Sequence, residues 1–284
     1  MSVPRIFDKA LRARRRDRAA ASFAAHAFLY EAAAEEMLDR LADVSRTFTH
    51  ALVIGAPTAA LPDALRGRGL AVTVADPGAI FATSQDGVVL DDDMPLPFAA
   101  ESFDLILNCG TLESVNDVPG FLLQLRALLR PDGLLLAAFM GAGSLPALRA
   151  ALLAADGDRP AQRIHPQIDV RSAGDLLSRA GFALPVADVQ LLRVGYASLF
   201  GLIGDLRGMG AAQCLASAPP PLTRAGLMRA ADRFMLDADP DGRVRERFEI
   251  VHISGWRPDP SQPKPARRGS AKTSLAEALK ATKS

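Results

Sequence analysis

The stretch from residue 49 to residue 65 has the composition of a ligand-binding turn. Its sequence, Thr-His-Ala-Leu-Val-Ile-Gly-Ala-Pro-Thr-Ala-Ala-Leu-Pro-Asp-Ala-Leu, predicts a buried strand over residues 51–54, a tight turn at Gly55 and then a helix. Such a strand–glycine–helix unit opens most nucleotide-binding α/β domains, because the N-terminus of the helix offers free backbone N–H groups. The segment therefore predicts a site for a nucleotide-type ligand at Gly55.

Acidic side chains follow two later strands. Asp76 ends a strand predicted over residues 71–75, and three aspartates at 91–93 follow a short strand over residues 88–90. Asp76 could simply cap its Asp-Pro-Gly turn, and the acidic run could be a solvated strand end or a cation site. Metal ligands must converge from several segments, and the four histidines show no helical pairing and no cysteine partner, so we predict no metal site.

Strands and helices are predicted to alternate through most of the chain. Further strands are predicted over residues 103–108, 134–139, 183–194 and 247–256, and helices over residues 3–20, 22–44, 58–68, 118–129, 145–155, 172–180, 196–209 and 222–236. The strands are continuous apolar runs, as in a parallel sheet that is covered on both faces. We expect a helical extension over residues 1–46, an α/β domain over residues 47–257 and a basic, flexible tail over residues 258–284.

Composition limits the classes of protein to which the chain can belong. It has 284 residues, a hydrophobic fraction of 49% and a net charge of +1, so no overall field selects nucleic acid. No apolar run approaches the roughly 20 residues of a spanning helix, and we expect no integral membrane segment. Two distant cysteines, Cys109 and Cys214, favour a reducing compartment, so a cytoplasmic location is expected.

The first predicted helix is basic and amphipathic. Six of the ten residues from Lys9 to Arg18 are basic. Its predicted apolar face is formed by Ile6, Phe7, Ala10, Leu11 and the stem of Arg14. The residues alone leave three interpretations open: an organelle transit peptide, a contact with an acidic partner or membrane surface, and a solvated helix that caps the domain.

Several motifs together resemble the class I S-adenosylmethionine (SAM) dependent methyltransferases. Asp76 ends the second strand, and Asp92 stands before the Leu-Pro-Phe of residues 96–98. Phe-Asp-Leu-Ile at residues 103–106 opens the fourth strand, and Leu-Arg-Pro-Asp-Gly at residues 129–133 leads to the fifth. The resemblance implies a Rossmann-like, seven-stranded, mostly parallel sheet with helices on both faces and an antiparallel last strand. It also implies SAM at the carboxyl ends of the strands.

A narrower resemblance covers nearly the whole chain. The chain is similar to the respiratory complex I assembly methyltransferase-like family of bacteria and mitochondria in Val-Asn-Asp at residues 115–117, Asp-Leu-Arg-Gly-Met-Gly at residues 205–210, Phe-Glu-Ile-Val-His-Ile-Ser-Gly-Trp at residues 248–256, and the basic segments at residues 6–20 and 261–275. This resemblance implies that the basic helix belongs to the mature protein and is not a transit peptide. Mitochondrial members are associated with modifying an arginine on a complex I subunit, which implies a protein substrate or assembly partner.

The methyltransferase resemblance assigns roles position by position. Gly55 matches the first glycine of the SAM loop, and Asp76 matches the acid that grips the ribose hydroxyls. Asp92 matches the side chain that faces the adenine amino group. Asn108 and Gly110 match the wall under the methionine end of SAM.

Three departures from the methyltransferase pattern bear on cofactor binding and substrate contact. Val53 replaces the acid that usually orients the methionine ammonium, and the lost charge-assisted bond costs about 1.5–3 kcal/mol. Pro57 removes a backbone donor and Ala59 adds a Cβ, where the usual loop has glycines. Glu113 and Ser114 stand where many such enzymes have a histidine or an aromatic residue near the substrate.

Two function hypotheses stay open. The first is a SAM-dependent methyltransferase-like enzyme that acts on a protein side chain during respiratory-complex assembly, with Glu113 as the candidate catalytic residue. Methyl transfer often needs only proximity and alignment, so a general base is not required. The second is a non-catalytic scaffold that has lost SAM binding and docks its basic helix on an acidic partner. An NAD-linked oxidoreductase is set aside, because the Gly-x-Gly-x-x-Gly fingerprint fails at the same loop.

Overall fold

Seven strands form one sheet in the computed structural model, which describes residues 5–262. The strands are β1 (His50–Ile54), β2 (Ala71–Asp76), β3 (Val88–Val89), β4 (Phe103–Cys109), β5 (Leu129–Met140), β6 (Ala183–Tyr196) and β7 (Val244–Trp256). Their order across the sheet is β3-β2-β1-β4-β5-β7-β6, and β7 runs antiparallel to both of its neighbours. The predicted seven-stranded sheet with an antiparallel last strand is confirmed.

Helices connect and flank these strands. They are α1 (Lys9–Ala20), α2 (Phe28–Ala42), α3 (Ala60–Gly67), α4 (Ala79–Thr83), α5 (Val118–Leu128), α6 (Pro146–Asp156), α7 (Val170–Arg179), α8 (Leu199–Gly208) and α9 (Arg224–Met235). Short 3₁₀ helices lie at Phe23–His26 and Leu112–Ser114. The helix predicted over residues 22–44 is therefore divided into a 3₁₀ turn and α2, and α4 was not predicted.

Alternating side chains of the central strands point to opposite faces of the sheet, and each face has its own helices. Val53, Leu107 and Phe248 pack on one face with α2, α3, α6, α8 and α9. Leu52 and Ile106 pack on the other face with α5 and α7. Because both faces are covered, no strand position in the centre of the sheet can be polar without losing contact with water. This explains the uninterrupted apolar runs of the sequence.

The apolar face predicted for α1 is only partly correct: Leu11 packs against the cluster that contains Phe7. Phe7 is buried as predicted, but Ile6 is 39% exposed and Arg14 is exposed. The helix instead buries the side chains of Arg12 and Arg16, which are only 5% and 4% exposed. The prediction failed because arginines were counted as solvent-facing, whereas these two have carboxylate partners far along the chain.

The predicted basic tail begins inside the described residues and continues outside them. Pro258 to Gln262 are described, and the side-chain amide of Gln262 donates to Asp132 Oδ1 over 2.9 Å. The rest of the predicted tail, residues 263–284, lies outside the described residues. Between residues 5 and 262, no helix is long and apolar enough to cross a membrane.

Replacing Phe248 by alanine tests the core between the sheet and α2. Phe248 is 0% exposed, and its ring makes edge contacts with Phe28 at 5.9 Å and Tyr196 at 6.5 Å between centroids. We expect Phe248→Ala to lower the free energy of unfolding by about 3–5 kcal/mol, measured by urea denaturation. Leu191→Ala on β6, where the side chain is 56% exposed, is the control and should change it by less than about 0.5 kcal/mol. Equal losses in the two variants would contradict this description of the core.

Candidate functional site

The carboxyl ends of β1, β2 and β4 meet at one edge of the sheet. From β1 the chain proceeds to β2 and β3 on one side and then returns to β4 on the other side, so the topological switch point lies between β1 and β4. Open α/β sheets bind their ligands at such a point. Gly55 and Gly110 directly follow β1 and β4, and Asp76 ends β2. The structure therefore brings these three predicted site residues to the edge at which a ligand is expected.

Gly55 and Gly110 make turns that no other residue would make without strain. Gly55 has a φ of +76°, and a Cβ there would lie 2.3 Å from the carbonyl oxygen of Cys109. Gly110 has a φ of +64°, and a Cβ there would lie 2.5 Å from Cε1 of Tyr30. Backbone conformation and space both require glycine at these positions. As a result the turns after β1 and β4 lie close together, and the Tyr30 ring rests on the second one.

Asp76 is 0% exposed and is fully hydrogen-bonded. Its Oδ1 accepts from Arg16 Nε over 2.8 Å and from the backbone N–H of Gly78 over 2.7 Å. Its Oδ2 accepts from Arg16 Nη2 over 2.5 Å. Burial alone would lower the pKa of the Arg16 guanidinium, but the Asp76 carboxylate raises that pKa above its ordinary value. The two residues are therefore a buried, charged, two-point ion pair.

Asp92 is also held by α1. Its Oδ2 accepts from Arg12 Nη2 over 2.7 Å, and its Oδ1 is paired with the ammonium of Lys9. Arg12 Nη1 also donates to the carbonyl of Ser114 over 3.0 Å. Burial, with a smaller contribution from Arg12, lowers the pKa of Lys9 to about 8. Three basic side chains of α1, at positions 9, 12 and 16, thus neutralise Asp76 and Asp92. The sequence resemblance assigned to these two acids the binding of the adenosine of SAM.

Asn108 supports the turn after β4 from below. It is 0% exposed, and its Nδ2 donates to Thr111 Oγ1 over 2.7 Å. This bond ties the end of β4 to the start of the 3₁₀ helix that carries Glu113. Gly110 and Thr111 contribute to the wall of the neighbouring cavity, whereas Asn108 holds them in place.

A cavity of about 100 Å³ lies beyond this turn, and Glu113 is in its wall. The other residues around it include Arg12, Arg16, Tyr30, Gly110 and His165. The Glu113 Oε2 atom is shielded from solvent and has no hydrogen-bond partner among residues 5–262. Burial raises the pKa of this carboxyl above its usual range. A buried acceptor without a donor is costly, and a ligand that supplied the donor would bind there favourably.

Sequence reasoning missed four residues of this site, namely Arg12, Arg16, Tyr30 and His165. The only local signal was the spacing of Lys9, Arg12 and Arg16, which places three cations on one helical face. Tyr30 is partly buried and packs against Gly110, and burial of its hydroxyl raises the pKa of that group to about 12. Burial lowers the pKa of His165 to about 4, so its imidazole is neutral near pH 7.

The departures in β1 and in the loop after it have plain structural counterparts. Val53 is 0% exposed and packs in the core on the α2 face of the sheet. Ala59 precedes the first residue of α3 and offers no side-chain cap to that helix. Gln85 donates its side-chain amide to the carbonyl of Ala56, which occupies one backbone group of the loop. With Pro57 lacking an N–H, the loop has fewer free donors than a glycine-rich one.

Comparison with known proteins decides the family. A model of the methyltransferase domain family matches residues 23–185. The arginine-hydroxylase NDUFAF5 of Danio rerio is 31% identical over 288 residues, which cover 97% of this chain and 90% of that protein. The human NDUFAF5 is 32% identical and covers 96% of this chain and 83% of its own length. The chain belongs to this methyltransferase-domain family. A malonyl-[acyl-carrier protein] O-methyltransferase of Methylovorus is 28% identical, over 89% of this chain and 90% of its own.

Two solved structures have a similar fold. The YcgJ protein of Bacillus subtilis aligns with a TM-score of 0.51 at 14% identity, over 81% of this chain and 99% of its own. A SAM-dependent methyltransferase of Thermotoga maritima aligns with a TM-score of 0.50 at 16% identity, over 87% of this chain and 99% of its own. At such identities the likeness extends to the fold alone. The Rossmann-like class I methyltransferase fold expected from the sequence is confirmed.

The family implies SAM as the cofactor. The site cannot accept the adenosine of SAM as long as α1 occupies its present position. In dinucleotide-binding folds an acid about 20 residues beyond the glycine turn accepts from a ribose hydroxyl, and Asp76 is the matching acid here. Both of its oxygens are bonded to Arg16, and the carboxylate has no exposed surface. Asp92 accepts from Arg12 through its Oδ2 alone, and its Oδ1 lies against the ammonium of Lys9. In this arrangement α1 covers both acids, which are 0% and 5% exposed, and keeps a ligand away from them.

The buried carboxyl of Glu113 makes stability depend on pH. Because its pKa is raised in the folded protein, the folded state keeps a proton that the unfolded chain releases above about pH 4.5. Wild-type stability should therefore fall, relative to Glu113→Gln, as the pH rises from that value to the raised pKa. We expect Glu113→Gln to be more stable than the wild type by about 1–3 kcal/mol at pH 8, with a smaller difference at pH 5, in urea unfolding. A difference that does not change with pH would show that Glu113 has an ordinary pKa.

Proposed function

We propose that this protein modifies an arginine side chain of a partner protein during assembly of a respiratory complex. The family membership supports an enzyme fold, and the NDUFAF5 relatives are named arginine-hydroxylases. The observation that carries the proposal is the unpaired Oε2 of Glu113 in the wall of the cavity. That cavity adjoins the switch point of the sheet, where proteins of this fold bind their ligands.

A guanidinium suits the chemistry of the cavity. The other charged groups around it already have partners: Arg12 is paired with Asp92, Arg16 with Asp76, and Arg163 with Asp156. Glu113 is the one acidic residue among the described residues of the wall. A planar guanidinium donates to a carboxylate at two points, and it would supply the donor that Oε2 lacks. Binding would also favour the ionised form of Glu113.

The size of the cavity suits the head of one side chain. Its volume is about 100 Å³, and a dry cavity of about 150 Å³ holds a benzene molecule. A whole SAM molecule needs considerably more space than this. The Tyr30 ring, which lies against Gly110, offers an aromatic surface near the carboxyl of Glu113. These features support a guest no larger than an arginine head group.

A second candidate function is a non-catalytic assembly scaffold. It is favoured by the pairing of Asp76 and Asp92 with α1 and by the apolar Val53 in place of an acid. The outer side of α1 presents Arg14 and Arg18 to solvent, which suits an acidic partner surface. Both candidates are consistent with the expected reducing, cytoplasmic location, since Cys109 and Cys214 are free thiols.

Complementation separates the two candidates. The chain, fused to a mitochondrial targeting sequence, is expressed in human cells that lack NDUFAF5. We expect the wild type and Glu35→Gln, which alters an exposed residue of α2, to restore arginine modification on complex I, measured by mass spectrometry. Glu113→Gln should reduce it by roughly ten- to a hundredfold, the loss expected for one charge-assisted bond.

The second readout in the same cells is the amount of assembled complex I on native gels. Restored assembly without arginine modification, in the wild type and Glu113→Gln alike, would reject the enzyme and favour the scaffold. Full modification by Glu113→Gln would reject Glu113 as the residue that binds the substrate.

A further inference from the structure

The N-terminal helix is attached to the domain mainly by charge. Its buried residues are Arg12, Arg16 and Ala19, and none of its residues is a buried member of the two large hydrophobic clusters on the faces of the sheet. The next helix, α2, by contrast buries Leu29 and Met37 in the larger of those clusters. Removing α1 from its place would therefore break ion pairs without opening the main core.

The ion pairs of α1 lie at the position expected for adenosine. Asp76 is the acid at the end of β2, next to the switch point, and Arg16 covers it with two hydrogen bonds. The guanidinium of Arg16 also lies 5.3 Å from the centroid of the Phe81 ring in α4. Asp17 continues the contact with α4, because its Oδ1 accepts from the backbone N–H of Ile80 over 2.9 Å. A ribose could reach Asp76 only if this part of α1 moved away.

We propose that α1 is an autoinhibitory helix, which holds Asp76 and Asp92 with Arg16 and Arg12 and must be displaced before SAM can bind. The inference rests on the proposed enzymatic function and names the regulation of the same site. Helix and cofactor compete for the same two carboxylates, so each lowers the apparent affinity of the other. The apparent affinity for the cofactor is the intrinsic one multiplied by the fraction of molecules in which α1 is released.

Neutral substitutions in the full-length chain test this competition. In Arg12→Gln/Arg16→Gln the ion pairs of both arginines are lost and that of Lys9 with Asp92 remains, while helix propensity is nearly unchanged. The control is Arg14→Gln/Arg18→Gln, which removes the same charge from the exposed side of α1. S-adenosylhomocysteine is titrated by calorimetry into the wild type and both variants, after circular dichroism has verified that they are folded.

The competition makes a directional prediction. We expect the Arg12→Gln/Arg16→Gln variant to bind S-adenosylhomocysteine at least tenfold more tightly than the wild type, and the control variant to match the wild type within twofold. Equal or weaker binding by the first variant would overturn the inference, because the arginines would then assist the ligand or play no part. Failure of both the wild type and this variant to bind at millimolar ligand would overturn it as well.

Hydrogen exchange of the wild type gives an independent readout, which also decides the matter if the double variant does not fold. With millimolar S-adenosylhomocysteine, displacement of α1 predicts faster exchange of the amides of residues 9–20. Slower or unchanged exchange would mean that α1 stays in place or closes over the ligand, and would overturn the inference. The complementation test depends on Glu113 and on arginine modification, so its failure is recognised separately from the failure of this one.

Discussion

Two carboxylates buried at the carboxyl edge of the sheet impose the main constraint on this molecule. Asp76 and Asp92 are 0% and 5% exposed, and an unpaired charge in such a place would cost several kcal/mol. Their cations come from α1, a segment that contributes almost nothing to the hydrophobic core. Arg12 and Arg16 hold α1 in position, cover the two acids expected to bind adenosine, and form part of the wall of the Glu113 cavity. All three features therefore depend on this neutralisation.

The same edge of the sheet contains one carboxyl that has no such partner. Glu113 lies in the short 3₁₀ helix after β4, and its position is fixed from below by the bond between Asn108 and Thr111. Asp76 and Asp92 are paired with cations of α1, whereas Glu113 has no salt-bridge partner among residues 5–262. At this edge, α1 therefore covers the region of Asp76 and Asp92, whereas the cavity at Glu113 offers a free hydrogen-bond acceptor to a ligand.

The fold could be predicted largely from the sequence, because its signals are local. Apolar runs such as residues 51–54 and 103–108 predict covered strands, and the glycine at position 55 is required by its own φ and its close neighbour. The site could be predicted only in part. The partners of Arg16 and Arg12 lie 60 and 80 residues further along the chain, and no periodicity contains that information. Helical patterns assign arginine to the solvent, which is why the buried face of α1 was predicted only in part.

The long-range contacts of α1 also set the order in which the protein can be completed on the ribosome. The helix is synthesised before all of its partners, and a helix of 12 residues is barely stable in isolation. Its partners Asp76 and Asp92 become available first. Asn116 and finally Cys214 follow, which accept from the N–H groups of Phe7 and Asp8 just before the helix, the latter over 2.8 Å. About three quarters of the chain must therefore leave the ribosome before this segment can dock, although domains usually fold from the N-terminus onward. The helix is thus made before the residues that hold it and docks only after all of them are available.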